Sequence, residues 1–265
     1  MTRGTRVLAA GLAVAVSVAV AGCAGPSASP EPVSTGAAGA PLAGTVMVFA
    51  AASLTDSFDT IAADFSAIHP GVDVVPNYGG SSALAQQIVQ GAPADVFAAA
   101  SEAAMTTVTD ADLSDEPTVF ATNTLEIVVP AGNPAGITGL ADLARPELAI
   151  ALCDVAVPCG AAADQLFQAV AMTAAPDTLE EDVKAVLTKV SLGEADAGLV
   201  YRTDVLAGGA EVEGIEVPEA ETVVNRYPIA RISASANGDA AAAFIDYVLS
   251  PAGQATLAAA GFGKP

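Results

Sequence analysis

The folded part of this chain is predicted to be an α/β fold with mostly parallel sheets covered on both faces. Three observations carry that expectation. Short apolar runs alternate with segments of helical period, glycine or proline closes several of them, and small or capping residues stand at the strand-to-helix junctions.

Residues 46–50 read as a strand, after which Leu54, Phe58, Ile61, Phe65 and Ile68 recur at helical spacing. Residues 72–76 are the next strand, and Leu84, Ile88 and Val89 mark a helix stopped at Gly91. Residues 96–98 and 125–129 are strands, the second closed by Pro130. Residues 148–152 form a strand before a helix carrying Leu166, Phe167 and Val170. Val183, Val186, Leu187 and Val190 make another helix, ended at Gly193, and 197–201 is again a strand. Two helices finish the chain, 240–249 and 251 to about 260, the latter with Pro251 in its first turn.

The first residues set the compartment. Arg3 and Arg6 precede an apolar run over 7–21, too short to span a bilayer as a mature helix but right for the core of a signal peptide. Val20, Ala21 and Gly22 lead into Cys23 and resemble a lipobox, in which Cys23 is acylated and becomes the mature N-terminus. Residues 24–44 are rich in Ser, Pro, Gly and Ala and bury too little surface to offset their ordering entropy. The expected organisation is a signal peptide over 1–22, a lipid-anchored flexible tether over 23–44 and about 220 residues of folded chain. The folded part is then an extracytoplasmic body held at the membrane.

The formal net charge is −21, and loss of Arg3 and Arg6 makes the mature chain more acidic still. Such a surface repels nucleic acid, so no nucleic-acid partner is expected. It also repels anions at long range, so an anion site here must work through local donors. Beyond Cys23, Cys153 and Cys159 form a close pair outside the cytoplasm. That reads as a disulfide rather than a metal site, a reduced buried pair being the alternative.

In parallel α/β sheets ligands sit beyond the carboxyl ends of strands, where helices begin. Four junctions here have suitable chemistry. Ser53, after Ala50-Ala51-Ala52, is placed as an N-cap with Asp56 three residues on. Tyr78-Gly79-Gly80-Ser81-Ser82 combines glycines that admit close approach with two hydroxyls. Val157-Pro158-Cys159-Gly160-Ala161 opens a helix expected over 161–170, and Glu180-Glu181-Asp182 opens the one at Val183. Unpaired N–H groups at several converging helix starts make an anion site without Lys or Arg. Composition alone reaches only a small polar ligand.

At these residues a family resemblance adds detail. Ala50-Ala51-Ala52-Ser53-Leu54-Thr55-Asp56, Gly80-Ser81-Ser82-Ala83-Leu84 and Gly91-Ala92-Pro93-Ala94-Asp95-Val96-Phe97 resemble the N-terminal half of the periplasmic molybdate-binding proteins of ABC importers. Val157-Pro158-Cys159-Gly160, Glu181-Asp182-Val183 and the run from Gly193 to Tyr201 resemble the C-terminal half. The match runs in order over nearly all the folded part.

The resemblance implies a two-lobed type II periplasmic-binding-protein fold with a ligand cleft between the lobes. Lobe 1 would comprise 45–124 and 227–265, and lobe 2 would comprise 125–226. It implies that Ser53 and Ser81 bind the oxyanion through hydroxyl and main-chain donors. Cys159 and Val183 would contribute main-chain N–H groups, and Tyr201 its phenolic hydroxyl. Ser82 is the neighbour to confuse with Ser81. The ligand implied is molybdate, with tungstate alongside, and the partner an ABC permease; no cofactor beyond the ligand is implied. A monomer is expected of a protein that must open and close. Two departures stand out: Cys159 replaces a common alanine, and Ala161-Ala162-Ala163 occupies a region where tyrosine is usual.

An oxyanion that is fully deprotonated near neutral pH presents only acceptors, which a pocket of O–H and N–H donors satisfies. Hydrogen phosphate keeps a proton, so a pocket without a carboxylate should reject it. Sulfate must be excluded by size. The rival readings are another oxyanion such as sulfate or phosphate, or a secreted serine hydrolase using Ser53, Ser81 or Ser82. The second lacks a base, since the one histidine, His69, lies beside Pro70 at a helix end. Asp95 reads as structural, and Arg202 and Asp204 are left without a role.

Overall fold

A computed structural model of the chain describes residues 41–265. The expected signal peptide, the expected lipidation site at Cys23 and the expected tether up to residue 40 lie outside the described residues. The expected tether yields to structure before its end. Leu42 packs against the core, and Gly44, whose N–H donates to the Gly71 carbonyl, already opens the first strand.

The strands, numbered in chain order, form two sheets of five. The first holds β1 (Gly44–Ala51), β2 (Val72–Gly79), β3 (Val96–Ala98), β4 (Thr118–Asn123) and β10 (Asn225–Arg231), in the order β2-β1-β3-β10-β4. The second holds β5 (Leu125–Pro130), β6 (Ile150–Cys153), β7 (Thr178–Glu180), β8 (Ala197–Tyr201) and β9 (Val212–Ile215), in the order β7-β6-β8-β5-β9. The helices are α1 (Thr55–Ile68), α2 (Ser81–Val89), α3 (Glu102–Thr109), α4 (Pro158–Ala169), α5 (Val183–Ser191), α6 (Arg202–Gly208), α7 (Gly238–Leu249) and α8 (Pro251–Ala259).

Both sheets are mixed, which corrects the expectation of mostly parallel pairing. Strands β1, β2 and β3 pair in parallel, as do β6, β7 and β8, while β10 and β5 run antiparallel to their neighbours. Parallel pairing needs a crossover connection, and β5 has none: only Thr124 separates it from β4 in the other sheet. The chain crosses to the second sheet at Thr124 and returns between Ile215 and Asn225. Strand β10 thus begins ahead of the lobe boundary expected at 227.

Burial on both faces explains the unbroken apolar character of β1, where residues from Val48 to Ala51 are all buried. Helices α1, α7 and α8 cover one face of the first sheet. There Phe65 meets Phe244 edge-on at 5.5 Å, and Phe58 contacts both Phe120 and Phe244. Ser250 caps α8 by accepting the Gly253 N–H, with Pro251 at the first helical position.

Candidate functional site

Four helix starts and the end of β8 converge between the two sheets. At the first junction the chain makes a 3₁₀ turn, Ala52–Leu54, before α1, so the N-cap is Leu54 and not Ser53. The extra turn rotates Ser53 inward. It is buried, and its hydroxyl lies 2.9 Å from the Tyr227 hydroxyl instead of capping the helix.

At the second junction Gly80 caps α2 and Ser81 is its first residue. Ser81 is buried and its Oγ accepts the Ala100 N–H at 3.0 Å. Ser82 instead donates to the Ala156 carbonyl at 2.7 Å, a bond that joins the two lobes. The lobes also meet where Lys184 pairs with Asp56 at 2.9 Å, and where Gly80 faces the Glu181 carbonyl.

At the third junction α4 begins at Pro158, earlier than the start expected at 161, because proline is already set for a first helical position. Proline has no N–H, so the N–H of Cys159 is the first that this helix presents. Cys159 is disulfide-bonded to Cys153 at the end of β6, their Cα atoms 5.8 Å apart, which ties the helix start to the strand. At the fourth junction Asp182 caps α5 by accepting the Ala185 N–H at 2.9 Å, leaving the N–H of Val183 with no helical partner.

Tyr201 closes β8 and is the N-cap residue of α6. Its hydroxyl accepts from Asn225 Nδ2 at 3.0 Å, and its N–H donates to Asp204 Oδ2 at 3.2 Å. Burial, reinforced by Tyr227 and Asp204, holds the Tyr201 phenol well above its ordinary pKa, so it stays a donor. Asp204 is fully buried, and desolvation pushes its carboxyl up to about 7 against the opposing pull of Lys184 and the Tyr201 N–H.

Ser53, Ser81, Cys159, Val183 and Tyr201 line one cavity, shared with Gly79, Gly80, Ala100 and Asp182. It admits the centre of a water-sized sphere through only about 10 Å³, space on the scale of a single small ion. The lining does contain a carboxylate, contrary to expectation, but Asp182 is engaged as a helix cap. Sequence reasoning missed Asn123, Asn225 and Tyr227, which stand behind the hydroxyls.

Among the described residues none of the three serine hydroxyls bonds a histidine, lysine or carboxylate: Ser53 pairs with Tyr227, Ser81 with the Ala100 N–H and Ser82 with the Ala156 carbonyl. His69 stacks on Phe65 at the far end of α1, about 20 Å of helix from Ser53. Asp95 accepts the Met47 N–H at 2.8 Å and the Ser235 hydroxyl, which ties β1 to the segment after β10. Among the described residues no acid, histidine or cysteine cluster suits a metal, and no helix is long and apolar enough to cross a membrane.

A small cavity between two α/β lobes, lined by helix starts, defines a solute-binding protein. Residues 46–263 match the family described as bacterial extracellular solute-binding protein. The chain is 42% identical over 262 residues to the molybdate-binding protein ModA of Mycobacterium tuberculosis, across 97% of this chain and 98% of that protein. The molybdate-binding protein ModA of Escherichia coli is 33% identical over 226 residues, 78% of this chain and 84% of that one. The periplasmic molybdate-binding protein of Azotobacter vinelandii superposes with a TM-score of 0.73 at 21% identity, covering 83% of this chain and 99% of that one. The sulfate-binding protein SubI of Mycobacterium tuberculosis gives 0.72 at 20%, over 82% and 86%. At such identities these two structures speak for the fold alone. The chain belongs to the bacterial extracellular solute-binding proteins and, among them, to the ModA family, whose members are binding proteins and not enzymes.

Proposed function

We propose that this protein captures molybdate, and tungstate with it, and delivers the anion to the membrane permease of an ABC importer. The observation that carries the reading is the convergence of three hydroxyls and several helix-start N–H groups on one ion-sized cavity. Ser53 and Ser81 bind through hydroxyl and main-chain groups, Cys159 and Val183 through main-chain N–H, and Tyr201 through its phenol. A buried dianion is tolerated only if its oxygens are hydrogen-bonded, and this lining supplies donors from both lobes. The names of the ModA relatives, molybdate-binding proteins, support the same cargo.

Capture proceeds by hinge closure about the two crossings, at Thr124 and between Ile215 and Asn225. Acylated Cys23 and the tether then hold a monomeric body beside the permease.

Thermal unfolding of the tether-free domain with molybdate, tungstate, sulfate or phosphate tests the cargo. A ligand at 100 times its dissociation constant stabilises the native state by about 2.7 kcal/mol. A shift with molybdate and tungstate alone is expected. A larger shift with sulfate or phosphate would keep the fold and overturn the cargo.

A further inference from the structure

We propose that Asn225 is a positioning residue that fixes the direction of two of the site's hydroxyls, and with it the protonation state of the anion accepted. This rests on the oxyanion reading above. Asn225 is buried at the start of β10, and its Nδ2 donates to two groups: the Ala100 carbonyl at 2.9 Å and the Tyr201 hydroxyl at 3.0 Å. The carbonyl pins the amide, because a flipped Asn225 would set its oxygen against the oxygen of Ala100. Tyr201 must therefore accept from behind, and its single hydrogen is left for the cavity.

The same residue orients Ser81. With its carbonyl held by Asn225, Ala100 donates its N–H to Ser81 Oγ at 3.0 Å. Ser81 accepts from behind and keeps its hydrogen for the ligand. A second, longer relay serves Ser53. Asn123 Oδ1 accepts the Thr124 N–H at 3.1 Å, which turns its Nδ2 towards Thr203 at 2.8 Å and the Tyr227 hydroxyl at 3.5 Å. The Tyr227 hydroxyl lies 2.9 Å from Ser53 Oγ, a pair in which either oxygen can donate, so this relay holds Ser53 in place without fixing the direction of its hydrogen.

Tyr201 and Ser81 then point hydrogens, not lone pairs, into the cavity. An anion with only acceptors is satisfied there, whereas one that keeps a proton, such as hydrogen phosphate, meets no acceptor for it at these two hydroxyls. Asn225 Oδ1 has no hydrogen-bond partner among the described residues. A buried amide that leaves one end unpaired is held for its other end, since an aliphatic side chain would carry no such cost.

The test is calorimetric titration of the wild type and Asn225→Asp with molybdate and with phosphate at neutral pH. The carboxylate draws the Tyr201 hydrogen back and turns lone pairs into the cavity. Molybdate affinity is expected to fall by about tenfold or more, with a loss of preference over phosphate of similar size. Asn225→Leu, which keeps the volume and removes the donor, frees the Tyr201 hydroxyl to turn and is expected to narrow the preference in the same direction. A merely structural role would weaken both anions equally, and equal losses overturn the proposal. If Asn225→Asp does not fold, an unchanged preference in Asn225→Leu overturns it alone. A wild type that binds neither molybdate nor tungstate overturns the cargo reading instead.

Discussion

Gly80→Ala inserts one methyl group between the lobes. Gly80 sits at φ −62° and ψ 125°, which any residue adopts, so glycine is required there for space and not for conformation. A Cβ at this position would lie 2.4 Å from the Glu181 carbonyl oxygen and 3.4 Å from Val157 Cγ1. An ordinary contact needs about 1 Å more at the oxygen, so the second lobe must stand back by that amount. The N–H groups of Val183 and Cys159 retreat with it, and ligand bonds of about 2.9 Å lengthen beyond hydrogen-bonding range. Two N–H bonds to a charged group, each worth about 1.5–3 kcal/mol, are weakened together. Molybdate affinity is expected to fall by at least about a hundredfold in calorimetric titration. The ligand-free variant should unfold within about 1 kcal/mol of the wild type, since alanine suits the backbone. Affinity within a factor of about three of the wild type, in a protein of normal stability, would refute closure onto Gly80.

Three further outcomes follow from charge and covalent structure. The folded pKa of Asp204, about 7, exceeds the unfolded value of about 3.9. Its contribution to stability is therefore complete below about pH 4 and is lost as pH rises through 7, by at most about 4 kcal/mol. Asp204→Asn should flatten the decline of urea-unfolding stability over that window, and an unchanged slope would contradict the assignment. The Lys184–Asp56 pair joins the lobes on a largely exposed edge, so Asp56→Asn should raise the molybdate release rate no more than about fivefold. In stopped-flow measurements that increase should vanish at high salt. Reducing Cys153–Cys159, a sequence separation of 6, should cost about 2 kcal/mol of stability by loop-closure entropy. Molybdate affinity should change little, because the contact proposed for Cys159 is through its main chain; a large loss in titration would show that the bond holds the helix start in place.

The strand–helix alternation and the junction residues were legible because each rests on local signals: apolar period, glycine stops, small residues after strands. Ser53, Ser81, Cys159, Val183 and Tyr201 come to one cavity from five separate stretches of chain. What escaped was local pattern of poor quality. Strand β10 carries Pro228 at a register shift beside Tyr227, where the ladder is broken and a proline is tolerated. Strand β7 has three residues, and β9 contains Gly214. The residues behind the site failed for a different reason. Asn123 and Asn225 lie far apart in sequence, and nothing in the flanking pattern marks either as facing a tyrosine hydroxyl. The N-cap expected at Ser53 shows the limit of capping rules where a 3₁₀ turn intervenes.

Two of the five proposed contacts are peptide N–H groups, and at Cys159 the side chain is spent on a disulfide. Recognition written in the main chain does not depend on the side chain at that position, so Cys159→Ala should leave the cargo unchanged. The same property makes the specificity hard to redirect. Among single substitutions only proline removes a backbone donor, and it installs none in its place, so a new cargo calls for inserting, deleting or re-angling a helix start. Engineering of this scaffold therefore begins with loop length at the strand-to-helix junctions, not with a library of side chains around the cavity.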